Sequence, residues 1–184
     1  NLCDAAVKER KDEVTKSYSN PAEVRFVLAL YDTFLNLYPS YKAVSVVVLT
    51  PYNEQKSLFE AAIASHPNAI VQRLQVFTVD AFQGREVDLV FYSTVRTGTA
   101  YGVGFVSDVR RMNVSFTRPR FGLFVVGNET KLRTSKYWNQ FIDFTRRHNR
   151  VININDTGLD LEKAIRDNIK LHCDDNLYAN YQSR

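Results

Sequence analysis

Four arginines, Arg110, Arg111, Arg118 and Arg120, crowd into one short stretch of this chain. An arginine fork is planar, always charged and able to grip two phosphate oxygens at once, so a phosphate-bearing ligand is the chemistry such a cluster serves. The plainer alternative is a solvated arginine favoured by the C-terminal dipole of a helix, and residue type alone favours that alternative. A second group is Gln83-Gly84-Arg85-Glu86. Its glycine would let backbone approach a ligand closely. Its terminal carboxylate can accept hydrogen bonds from hydroxyl groups, or simply pair with Arg85 or another neighbour. Thr50 and Thr78 each stand at or near the end of a β-type run. Small hydroxyl residues there, beside backbone amides and a helix start, suit contacts with phosphate. Pro51 follows Thr50, Tyr52 could stack on a ligand or pack internally, and Arg96 in Val95-Arg96-Thr97 could meet phosphate or couple two ligand sites.

Several chemistries have no residues here. A self-sufficient nucleotide hydrolase needs G-x-x-x-x-G-K-[ST] to cradle phosphates. Gly98, Gly102 and Gly104 come nearest, and no Gly-Lys follows them. No strand ends in an acidic pair suited to magnesium, and no H-E-x-x-H, G-x-S-x-G or Cys/His metal spacing occurs. His66, His148 and His172 are scattered among polar residues and read as solvent-exposed. Cys3 and Cys173 lie near opposite ends and read as reduced thiols of a nuclear or cytoplasmic protein. No run is long and apolar enough to suggest a membrane span, and no signal peptide is visible. Net charge is +4 and the sequence pI is about 9.1, which is compatible with nucleic acid without requiring it.

The elements that must hold these groups alternate between strand and helix. Val44-Ser45-Val46-Val47-Val48-Leu49 is nearly all apolar, the pattern of a strand covered on both faces in a parallel sheet. Gln75 to Val79, Asp88 to Val95 and Gly122 to Val126 predict further strands, and Val151 to Ile154 another. Asn20-Pro21-Ala22-Glu23 reads as a helix start: an Asn cap, proline in the first turn, and Glu23 closing a capping box. Val24, Val27, Leu28, Tyr31 and Leu35 then recur at helical spacing. Thr50-Pro51 repeats the cap-then-proline signal. Asp108 to Phe116, Lys136 to His148 and Leu159 to Leu171 predict later helices. The chain is expected to be one α/β domain built from βα units. It opens on Asn1, in the middle of things, and reads as a piece of something longer.

In this setting the motifs become recognisable. Phe77-Thr78-Val79-Asp80-Ala81-Phe82-Gln83-Gly84-Arg85-Glu86 resembles motif V of superfamily 1 helicases with its adjoining Q-G-R-E element. Asp108-Val109-Arg110-Arg111-Met112-Asn113-Val114-Ser115-Phe116-Thr117-Arg118-Pro119-Arg120 resembles motif VI. Leu49-Thr50-Pro51-Tyr52-Asn53-Glu54-Gln55 is similar to motif IV, and Ser17 to Val24 to the segment that opens the domain. All four stand in the family's order, over roughly residues 17 to 145. The nearest branch is that of the nonsense-mediated-decay helicase, senataxin and the immunoglobulin mu-binding helicase.

The resemblance implies a three-layer α/β/α fold, that of the second, C-terminal RecA-like domain, lacking its own phosphate loop. It spans residues 1–150, with a strand and helix extension over 151–184 packed on the same domain. It implies ATP with Mg²⁺ as cofactor, the Mg²⁺ ligands lying in the missing first domain and no metal ligand in this chain. Arg118 takes the place of the catalytic arginine finger. Gln83, Gly84, Glu86 and Arg111 join it at the nucleotide, with Glu86 on the ribose. Thr50, Pro51, Tyr52, Thr78 and Arg96 face the nucleic-acid backbone. Arg111 and Asn113 organise the motif VI helix, and Asp80 orders its own turn. The partners implied are single-stranded RNA or DNA and the first RecA-like domain of the same polypeptide. The isolated chain is expected to be inactive as an ATPase. A degenerate domain serving only protein contacts is the rival reading, opposed by the intact Gln83, Gly84, Glu86, Asn113 and Arg118. One departure is Pro21, where some members keep a phosphate-directed arginine; Arg25, one turn on, could stand in.

Overall fold

The computed structural model describes residues 9–98, 102–154 and 160–168. Four parallel strands form the sheet: β3 (Val46–Thr50), β4 (Gln75–Thr78), β5 (Val87–Ser93) and β6 (Pro119–Val126), in the order β4-β3-β5-β6. A two-residue antiparallel pair, β1 (Arg10–Lys11) and β2 (Tyr18–Ser19), precedes them and has no counterpart in the sequence expectation. The helices are α1 (Pro21–Leu37), α2 (Asn53–Ala64), α3 (Val109–Phe116), α4 (Glu129–Leu132), α5 (Lys136–Arg147) and α6 (Leu161–Asn168).

Alternation along the strands assigns the layers. Val46 and Val48 of β3 point into one core with Val24, Phe34, Phe59 and Ile165, from α1, α2 and α6. Val47 and Leu49 point into the other, with Met112 of α3 and Trp138 and Ile142 of α5. Every residue of β3 is buried, as expected for a central parallel strand covered on both faces. The three-layer α/β/α fold is therefore present. Pro119 opens β6 rather than preceding it. A proline tolerates that place because a first strand residue on an edge needs no ladder N–H.

Several local expectations are revised. Asn20 does cap α1, its side chain accepting from the amides of Ala22 and Glu23. No capping box closes, however: the amide of Asn20 donates to Gln55 Oε1 at 2.7 Å, and Glu23 turns inward to other partners. Thr50 does not cap α2 but ends β3; Tyr52 holds the cap position and makes no side-chain cap bond. Residues 151–154 form no strand, although Ile154 packs on the first core. The last helix is described over Leu161–Asn168 and packs on α1 through Ala164 and Ile165, 8% and 0% exposed. Cys3, Cys173 and His172 lie outside the described residues.

Candidate functional site

In a parallel sheet all strands share one direction, which gives this domain two distinct ends. At the N-terminal end of the strands, the amide of Val87 donates to the carbonyl of Arg118 at 3.2 Å, locking the residue after α3 to the start of β5. The Arg118 guanidinium donates from Nη2 to Thr117 Oγ1 at 2.9 Å and from Nη1 to the Arg85 carbonyl at 3.4 Å. Its Nε is buried with no partner among the described residues. Arg85, Glu86 and Gln83 are all exposed. Glu86 is a weakly held carboxylate: it accepts from Arg120 Nη2 at 3.4 Å, with 61% of its side chain open. Its neighbour is thus Arg120, not Arg85.

Gly84 has φ +81°, and a Cβ added there would meet no heavy atom within 4 Å. Backbone conformation, not crowding, therefore requires glycine. Gly84→Ala is expected to destabilise the chain by about 1–2 kcal/mol through left-handed strain. Urea unfolding reads this directly, and unchanged stability would mean that the turn has another conformation available.

At the opposite end stand Thr50, Thr78, Tyr52, Arg96 and Pro51. Thr50 is fully buried, and its Oγ1 has no hydrogen-bond partner among the described residues. Tyr52 is 3% exposed, set edge-on to Tyr18 at 5.4 Å. Arg96 is 5% exposed: it lies over the Tyr18 ring at 4.1 Å, donates to Tyr52 Oη at 3.4 Å and pairs with Glu9 at 3.1 Å. Glu9, which no sequence signal marked, also accepts from the amides of Thr97 and Gly98. Burial pushes its carboxyl up, but those amides and Arg96 outweigh it and hold the group below its ordinary range. Thr50, Tyr52 and Arg96 thus form the floor of this end. Pro51 and Thr78 are half-buried above it, and the hydroxyl of Thr78 accepts from the amide of Ala81 at 3.4 Å.

Arg111 parts company with Arg118. Its guanidinium is held by both oxygens of Asp80, each at 2.9 Å, and Asp80 follows β4 at the strand C-terminal end. This pairing holds the Asp80 carboxyl below its usual range. Asp80 does open a 3-10 turn, as expected, but its side chain also reaches across to motif VI. Arg111 lies five residues before the end of α3, about 7–8 Å along the helix axis, and Arg118 two residues beyond that end. The four expected nucleotide residues Gln83, Gly84, Glu86 and Arg118 remain toward the other end. Arg25 does not join them: it is exposed on α1, whose start meets Val95 on the opposite face of the sheet.

A buried polar network lies at the C-terminal end of the strands, where β5 ends and α1 and α2 begin. Gln55 is wholly buried; it accepts from the Asn20 amide and donates to Ser93 Oγ at 2.9 Å. Asn20 Nδ2 donates to the Val95 carbonyl at 3.2 Å. Glu23 Oε2 accepts from Ser93 Oγ at 2.6 Å and from the Val95 amide at 2.9 Å. Val95 has φ +71°, a costly conformation for a β-branched residue, and these partners hold it there. A polar side chain at 55 in line with Phe59 and Ile63 on the buried face of α2 was the available signal for this network.

Among the described residues no cluster of His, Cys, Asp or Glu could hold a metal ion, and no helix is long and apolar enough to cross a membrane. Residues 2–130 match a family described as an AAA domain. "Helicase sen1" of Schizosaccharomyces pombe is 34% identical over 144 residues, 77% of this chain and 8% of that protein. "Probable helicase MAGATAMA 3" of Arabidopsis thaliana is 34% identical over 76% of this chain and 17% of that protein. "Regulator of nonsense transcripts 1 homolog" of Drosophila melanogaster is 34% identical over 70% of this chain and 11% of that protein. The chain thus spans under a fifth of the length of each of these relatives. With its motifs in order on a parallel α/β/α sheet, the chain belongs to this AAA-domain family, as a RecA-like domain of the superfamily 1 helicases in the nonsense-mediated-decay and senataxin branch.

Proposed function

We propose that this is the second RecA-like domain of a nuclear or cytoplasmic ATP-dependent helicase, acting on single-stranded RNA or DNA. The first domain of the same polypeptide supplies the phosphate loop and the Mg²⁺ ligands. The observation that carries this reading is the segregation of the motif residues: Arg118, Gly84 and Glu86 toward one end of the sheet, Thr50, Pro51, Tyr52, Thr78 and Arg96 at the other. A two-ligand motor needs that separation, because nucleotide and strand must bias one conformational equilibrium from different places.

The chain's own residues fit a nucleotide on one side only. Arg118 has a buried Nε without a partner among the described residues, Glu86 is weakly engaged, and open space surrounds Gly84. Arg118 faces the first domain across the cleft and stabilises negative charge that develops on the γ-phosphoryl oxygens. Glu86 accepts from ribose hydroxyls, and Gln83 and Gly84 line its approach. When bound, ATP would close the cleft, and its hydrolysis would open it. At the other end Pro51 and Thr78 meet the strand backbone, supported from beneath by Thr50, Tyr52 and Arg96. Alone, the domain has neither amide cradle nor lysine for phosphates, so single-sided contacts to a solvated triphosphate yield little net binding.

A titration of labelled single strands against the full-length protein at two salt concentrations tests the strand half. Affinity is expected to fall steeply with salt and to vary little with sequence. Strong base preference, or affinity indifferent to salt, would overturn it. In the same preparation series the 184-residue chain alone is expected to show no strand-stimulated ATP turnover, and robust turnover would overturn the two-domain reading.

A further inference from the structure

Phe105 is held out in solvent by a turn constructed to keep it there. The residue is 58% exposed, while Val103 and Val106 around it are 3% and 1% exposed. Val106 is pinned from below: the buried Trp138 Nε1 donates to its carbonyl at 2.6 Å. Gly104 has φ +61°, and a Cβ there would lie 2.7 Å from Arg96 Nη1 and 3.3 Å from Tyr52 Oη. The turn therefore sits directly on the Tyr52–Arg96 floor, and only glycine allows so close an approach. Above it, the Arg111 guanidinium lies 4.8 Å from the Phe105 ring centroid, and the Tyr52 ring is 6.2 Å away. The ring is thus set beside Arg111 and Tyr52 rather than buried in the core.

We infer that Phe105 is a base-stacking platform, contributed by the turn before α3 to the strand-binding end of the domain. The inference rests on the strand-binding reading above and adds to it a contact with bases rather than backbone. With the Arg111 guanidinium over one face, the ring offers its other face as a flat apolar surface at little entropic cost, which is what an unpaired base requires. Every base has a π face, so the stack accepts every base.

The test uses the full-length protein and labelled single strands in which one abasic position is walked along the sequence. Phe105→Ala is expected to weaken binding by roughly 10-fold, within the range for loss of one aromatic stack, while Phe105→Tyr stays near wild type. The salt dependence is expected to be unchanged, because no phosphate contact is removed. Wild type is expected to lose affinity when the abasic site occupies one particular position, and Phe105→Ala to be insensitive there. If wild type binds strands in a salt-dependent way but Phe105→Ala binds equally well, or keeps the full abasic penalty, this inference falls and the strand-binding reading stands. If wild type shows no salt-dependent strand binding, both fall. A Phe105→Ala defect confined to association with another protein would assign the ring to a protein contact and overturn the inference.

Discussion

Arg118→Ala in the full-length protein is expected to lower kcat for ATP hydrolysis by about 10³-fold or more, with strand affinity nearly intact. The loss is that of a positive fork placed where the loose transition state spreads charge over equatorial oxygens. The substitution leaves the fold's own use of the residue in place, because Val87 bonds the Arg118 backbone carbonyl rather than the side chain. Among the described residues two side-chain bonds disappear, to Thr117 and to the Arg85 carbonyl, and both lie at the exposed surface. Arg118→Lys keeps the charge but not the bidentate geometry and is expected to recover little. Hydrolysis near the wild-type rate in Arg118→Ala would remove Arg118 from the chemistry. Loss of strand affinity with turnover preserved at saturating strand would make it a backbone contact.

The second large effect concerns stability. Glu23 is buried, and burial lifts its carboxyl from the ordinary 4.5 to about 7 despite the hydrogen bonds from Ser93 and Val95, with its Oε1 left without a partner. Below the unfolded value the group is protonated in both states, and its contribution is fully present. As pH rises through the window from 4.5 to about 7, the unfolded chain releases the proton first, and folding loses about 3 kcal/mol before levelling off. Glu9, Asp80 and Glu129 are shifted the other way and gain stability as pH rises through the acid range, so the wild-type curve alone mixes the two trends. Glu23→Gln isolates the term: its urea midpoint relative to wild type is expected to improve as pH crosses that window. A difference between the two proteins that does not change with pH would show that Glu23 is already ionised in the fold.

Much of the framework is written in local patterns. The β3 run announces burial on both faces because its residues leave no polar side to show, and the Asn20 cap followed by Pro21 fixes the start of α1. The motif segments mark the two ends of the sheet because loops there answer to ligands rather than to packing. What the chain order hides is pairing over distance. Glu23 looks like half of a capping box by spacing, yet a buried serine and a strained valine some seventy residues away claim it instead. Arg111 sits in the same motif as Arg118, but a helix rise separates them, and Asp80 decides which end Arg111 serves. Tyr52 and Arg96 look like surface ligands until Glu9, Tyr18 and Gly104 close over them. Val151 to Ile154 has strand-forming residues, yet the segment joins neither edge of the sheet and Ile154 packs on the first core instead.

The segment from Val79 to Glu86 and helix α3 travel side by side, both passing from the C-terminal end of the strands to the N-terminal end. They are joined near one end by Asp80 and Arg111 and near the other by the Arg85 carbonyl and Arg118. α3 is a rod pinned at one end by its own Arg111 and, two residues beyond its other end, by Arg118. A helix is stiff along its axis, so a stroke imposed at Arg118 would slide or tilt α3 and carry the Asp80–Arg111 pin with it. Because Phe105 leans on Arg111 at that far pin, the same stroke would be felt at the ring.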